Sequence, residues 1–118
     1  MEAPWLEGQI DNILADQDPP QELGDLIDRA RDGAVPGCDR HHIVEQGPQN
    51  GDLSQQQLQS PENVALVPKY KHWRITEYYQ KPNEELGGLS PREFLSGKSF
   101  AERYQFGLDV LRKFGVLK

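Results

Sequence analysis

Apolar residues recur at helical spacing through the first third of the chain: Trp5, Leu6, Ile10, Ile13 and Leu14, then Leu23, Leu26, Ile27 and Ala30. A period of three to four residues predicts two amphipathic helices, although Gly8 weakens the first. The second is expected to begin at Asp18, as an N-cap with Pro19 and Pro20 in the first turn and Gln21 as its capping-box partner. It should run to about Arg31 and close at Gly33. From Ala34 the pattern changes. Val35-Pro36-Gly37 breaks the helix, and Cys38 to Glu45 is short, partly β-branched and strand-like. Residues 46–62 carry loop chemistry, with one helical turn predicted from Ser54 and Gln57. Val64-Ala65-Leu66-Val67 reads as a second strand stopped by Pro68, and Tyr70 to Gln80 as a helix ended by Pro82.

Two capping boxes follow, Ser90-Pro91-Arg92-Glu93 and Ser99-Phe100-Ala101-Glu102. The second opens a long helix whose apolar face is Phe100, Tyr104, Leu108 and Leu111, joined by Val110 and Phe114, with Gly115 as its stop. The expected fold is α+β: a mostly helical small domain around a strand–strand–helix finger with a two-stranded antiparallel hairpin. Residues 1–118 are read as one domain, with a helical N-terminal segment (1–37), the finger (38–81) and C-terminal helices (82–118).

Charge adds an asymmetry. The net charge is −6, which would argue against a nucleic-acid partner were it spread evenly. Residues 1–38 hold nine acids and two bases, whereas 39–118 hold ten acids and eleven bases. The acidity therefore belongs to the leading segment, read as a solvated helical pair packed on the core. Lys69, Lys71 and Arg74 form the densest basic group and are candidates for phosphate contact. Arg40 stands either as a phosphate clamp or as a partner of Asp39. Tyr70, Trp73, Tyr78 and Tyr79 are assigned to core and interface. Cys38 is the only cysteine, which excludes an intramolecular disulfide and paired-cysteine zinc frameworks. No run of about 20 apolar residues provides a membrane span, and no signal-peptide pattern opens the chain, so a soluble protein is expected.

All three histidines, His41, His42 and His72, fall within the finger. Adjacent histidines on a strand point to opposite faces, so two nitrogen bases can take different tasks. Phosphodiester hydrolysis needs a group that deprotonates water near neutral pH and a cation that neutralises developing charge. Imidazole suits the first task, and a histidine-bound divalent ion the second.

The run Asn63-Val64-Ala65-Leu66-Val67-Pro68-Lys69-Tyr70-Lys71-His72, preceded by Arg40-His41-His42-Ile43-Val44, resembles the HNH (ββα-metal) endonuclease pattern. That resemblance implies that His42 is the general base, that His41 and His72 are metal ligands, and that Asn63 orients the base and braces the hairpin. It departs from colicin-type members at Thr76, where they carry a further histidine; the metal then keeps more water or borrows a carboxylate such as Glu77. Residues 38–118 are also similar, through His41 to Gln46, Gly88 to Ser99 and Phe114 to Lys118, to C-terminal HNH toxin domains of bacterial polymorphic toxins. The function implied is metal-dependent endonucleolytic cleavage, of DNA ahead of RNA, with one divalent ion: Mg²⁺ first, then Zn²⁺, Ni²⁺ or Mn²⁺. The resemblance further implies export within a larger toxin, action in a target-cell cytoplasm and a cognate immunity protein as partner. The alternatives are a non-catalytic metal-finger binding module and a ribonuclease toxin.

Overall fold

A computed structural model describes residues 4–47 and 51–118. Helix α1 (Pro4–Asp16) and helix α2 (Leu23–Asp32) precede strand β1 (Cys38–His42). A loop carrying the single-turn helix α3 (Gln55–Leu58) leads to a 3-10 turn at Pro61–Asn63 and strand β2 (Val64–Pro68). Helix α4 (Lys69–Gln80), the short α5 (Pro91–Leu95) and α6 (Phe100–Lys113) complete the α+β domain. The strands pair antiparallel, with His41 opposite Ala65 and His42 opposite Val64.

Local signals account for most of these boundaries. Ser54 accepts from the Gln57 amide to start α3, and both Ser-x-x-Glu boxes close reciprocally at the starts of α5 and α6. The predicted start of α2 is corrected. Asp18 does not cap it; the helix begins at Leu23 behind Glu22, which makes no side-chain cap. The stretch through Pro19 and Pro20 is extended because Gln21 pairs with the C-terminus, its amide donating to Val116 O (3.0 Å) and its carbonyl accepting from Lys118 N (3.0 Å). Strand β1 is also shorter than expected, ending at His42 where the chain bends through Ile43 and Val44.

The core joins Leu26, Ile43, Ala65, Val67, Ile75, Tyr79, Leu95, Leu108 and Leu111, so α2, the hairpin and α4 to α6 share one apolar interior. Gly107 on α6 permits this packing: a Cβ there would collide with the Ile43 carbonyl and come within 2.8 Å of Ile43 Cγ2. The leading segment packs on the domain as expected, but in α1 the described apolar stripe does not make that contact. Ile10, Ile13 and Leu14 are exposed, and Ala15 is the buried apolar side chain of α1 among those described. Helix α1 lies on α4, on β2 and on the turn before β1, where Gly37, at φ 82°, faces Asp11 and Ala15 without a side chain. Trp5 and Leu6, also expected on that stripe, have side chains outside the described residues.

Candidate active site

Strand alternation puts Asp39 and His41 on the face of β1 that meets α4. There His72, four residues into α4, brings its ring against His41, edge to face with centroids 5.2 Å apart. Asp39 Oδ2 accepts from His72 Nδ1 at 2.9 Å. Because an ionised carboxylate can only accept, Nδ1 carries the proton, which leaves Nε2 as the nitrogen that can offer a lone pair to a ligand. His41 is 5 % exposed. Burial, reinforced by the neighbouring His72 and His42, pushes it down to about 3, so its ring is neutral near pH 7.

His42, the last residue of β1, is half-buried and turns to α3. Its Nε2 donates to Gln59 Oε1 (3.3 Å), and the Gln59 amide donates onward to Gln46 Oε1 (2.6 Å). That chain leaves Nδ1 of His42 as the lone-pair nitrogen.

Asn63 holds the strand exit from behind. It is 1 % exposed, accepts from Val44 N (2.8 Å) and donates to Val44 O (3.1 Å) and Leu58 O (2.9 Å). One amide side chain thus ties the bend after β1 to the end of α3. The geometry sets the spacing between His42 and its partner Gln59.

These elements border an open cleft of about 200 Å³ lined by Arg40, His41, His42, Glu45, His72 and Thr76. Thr76 stands one helical turn after His72 on the cleft side, whereas Glu77 pairs with Lys81 and is not in the lining. Glu45 receives a two-pronged contact from Arg92 of α5 (Nε 3.0 Å, Nη2 2.8 Å). Arg40 is exposed at the cleft. Lys69 pairs with Asp39 at 3.5 Å beside the histidine contact. Lys71 and Arg74 are engaged elsewhere: Lys71 donates to Gly115 O (3.1 Å) and Asp18 O (3.3 Å), and Arg74 holds both oxygens of Asp16 (2.9 and 3.1 Å).

Of the residues singled out in the sequence, His41, His42, His72 and Arg40 therefore meet at one cleft, Asn63 supports it, Lys69 flanks it, and Lys71 and Arg74 face the N-terminal segment. Sequence reasoning missed Asp39 as the partner of His72, Gln59 as the partner of His42, and the Arg92–Glu45 pair. Strand alternation could have found the first, since Asp39 shares its face with His41. The other two pair residues 17 and 47 positions apart and leave no local signal.

Among the described residues no three His, Cys, Asp or Glu side chains converge on one point. The available nitrogen donors are the neutral His41 ring and Nε2 of His72, a set that suits a divalent ion completed by water or substrate oxygens. Neither models of known protein families, nor curated proteins, nor solved structures give a match to this chain.

Proposed function

We propose that the chain is a metal-dependent endonuclease that hydrolyses phosphodiester bonds, DNA ahead of RNA. The observation that carries this reading is the histidine cluster: His41 and His72 in ring contact, Asp39 behind His72, and His42 beside them with its own amide partner, all around one open cleft. His41 and His72 would hold the ion, which when bound supplies Lewis acidity to the scissile phosphate. Two imidazole ligands rank Zn²⁺ and Ni²⁺ above Mn²⁺ and above Mg²⁺, the ion favoured by sequence resemblance, since the last two suit oxygen ligands. His42 takes the proton of the attacking water on Nδ1, while Gln59 keeps Nε2 protonated and fixes the ring. Asn63 keeps the exit of β1 in register so that His42 faces the cleft. Arg40 offers a guanidinium for the phosphate, and Lys69 places its charge next to Asp39 at the rim.

The same resemblance that suggested the chemistry supports a biological setting: an effector domain of an interbacterial toxin, exported within a longer chain, active in a target-cell cytoplasm and countered by an immunity protein. No helix among the described residues is long and apolar enough to cross a membrane. The test is a supercoiled-plasmid nicking assay with Mg²⁺, Mn²⁺, Ni²⁺ and Zn²⁺ in turn, beside a structured RNA. Metal-dependent nicking abolished by His41→Ala is the expected result. Absence of cleavage of either polymer with every ion would overturn the proposal in favour of a binding module, and cleavage confined to RNA would reassign the substrate.

A further inference from the structure

Between α3 and α6 lies a groove of about 280 Å³ bounded by Phe100 and Tyr104 of α6 and by Gln56, Gln57, Ser60 and Glu62 of the loop before β2. Its volume sits at the small end of ligand pockets, enough for one ring system. The Phe100 and Tyr104 rings lie 6.0 Å apart and 25° from parallel, forming a continuous π wall. Tyr104 is fixed, because its hydroxyl donates to the Glu62 carbonyl at 2.7 Å. The opposite rim carries carboxamides and a hydroxyl. Among the described residues no cation lines the groove, and Glu62, the acid there, is engaged by Ser60 and by Arg31 at 3.7 Å. A phosphate is therefore disfavoured in the groove itself, while an uncharged planar ring with edge donors and acceptors matches both walls.

The groove is also coupled to the cleft. Asn63, which braces the hairpin, lines it, and Gln59, which bonds to His42, follows α3 by one residue. We propose that this groove is a base-binding subsite, in which an unstacked nucleobase of the substrate strand lies against the Phe100–Tyr104 wall and is met at its edge by Gln56 and Gln57. The inference deepens the nuclease reading and rests on it for the identity of the strand. It makes single-stranded or locally opened nucleic acid the preferred substrate class.

The test measures binding by fluorescence anisotropy in EDTA, so that no cleavage is read. The probes are a labelled ten-residue thymidine oligonucleotide, an abasic strand with the same number of phosphates, and a duplex of equal length. The parental chain should bind the base-bearing strand more tightly than the abasic one. Phe100→Ala should weaken only the former, by about 5- to 150-fold, the usual loss of one stacked base. Its salt dependence should be unchanged, since no phosphate contact is removed. Phe100→Leu, which keeps apolar bulk, and Gln56→Ala, at an exposed position, should show smaller losses in the same direction and stand in if Phe100→Ala does not fold. Equal binding of base-bearing and abasic strands by the parent, or no loss on the base-bearing strand in any folded variant, would overturn the subsite and leave the groove to an apolar peptide. An equal loss on duplex would overturn the assignment to an unstacked base. Displacement by free thymidine as effective as by unlabelled strand would overturn the assignment to a polymer. A chain that binds in this way but cuts nothing fails the nuclease reading alone, and one that cuts but ignores these substitutions fails the subsite alone.

Discussion

The β1–β2 hairpin and the N-terminal segment both lean on α4, and they use it in opposite ways. On the cleft side, His72, Ile75 and Thr76 meet a hairpin whose polar groups are fixed by buried partners: His41 in the interior and Asn63 with three hydrogen bonds. On the other side, α1 is held by surface polar contacts, Gln9 with Tyr70 and Asp16 with Arg74, while Ile10, Ile13 and Leu14 face solvent. Buried polar networks specify geometry because an unmet partner is expensive, whereas exposed ones set charge at little energetic cost. Position is therefore built into the finger, whereas the segment on its flank sets an acid, Asp16, against the Arg74 guanidinium of α4.

The largest expected effect separates two tasks within the finger. His42→Ala should lower cleavage by about 10²–10⁴-fold, the contribution of a positioned acid–base group, with folding and metal affinity preserved. His41→Ala should lose metal binding and cleavage together. Nicking rates alongside calorimetric metal titration of both variants distinguish the roles. A His42→Ala chain that binds metal and cuts at the parental rate would remove His42 from the chemistry.

Next in size is the brace. Asn63→Ala leaves the Val44 amide and two carbonyls without their side-chain partners in an interior position. At about 1–3 kcal/mol per unsatisfied buried group, partly relieved by relaxation, a loss near ~3 kcal/mol follows. Urea denaturation would measure it; a loss below ~1 kcal/mol would mean that the bend after β1 holds without the amide.

Sequence periodicity made the two strands, α4 and the two capping boxes legible because each rests on the pattern of residues a few positions apart, although the strands themselves pair across more than twenty residues. The same reasoning failed at Asp18, where local capping chemistry was outweighed by backbone pairing of Gln21 with the distant C-terminus. It failed for α1, since helical spacing of Ile10, Ile13 and Leu14 reports which side chains share a face but not whether anything covers it. The histidines were recognisable by residue type. Their partners Gln59 and Arg92, and the buried Arg103 that binds Asp52 at 2.8 Å, depend on chain return and carry no periodic trace.

A moderate effect links the buried histidine to pH. The unfolded chain protonates His41 below about pH 6.5, but the folded chain does so only near about 3. Its contribution to stability is thus flat above 6.5 and declines as pH falls through 6.5 toward 3, at about 1.4 kcal/mol per pH unit, or ~2 kcal/mol by pH 5. The difference between parental and His41→Asn urea midpoints across pH 7 to 5 isolates this component. Parallel pH profiles of the two would show that the imidazole is reached by protons in the fold.

The smallest effect in energy tests whether the N-terminal segment screens Arg74. Arg74 is half-exposed and holds both oxygens of Asp16, and an exposed pair of this kind contributes ~0–1 kcal/mol, so Asp16→Ala should barely change stability. Its consequence for nucleic acid is larger, because a guanidinium released from a carboxylate becomes available to a phosphate. One added contact steepens the dependence of log affinity on log salt by about 0.9 for duplex DNA and raises affinity most at low salt. Lys71→Met makes the opposing control. Lys71 bonds to the Asp18 and Gly115 carbonyls rather than standing free, so this substitution should reduce stability and leave the salt slope where it was. Binding isotherms for the parent, Asp16→Ala and Asp16→Ala with Arg74→Ala between 50 and 200 mM salt, roughly the range over which phosphate contacts are resolved, decide the matter. If the single substitution leaves affinity and slope unchanged, or the double substitution keeps the gain, Arg74 does not reach the polymer and the acidic segment screens nothing.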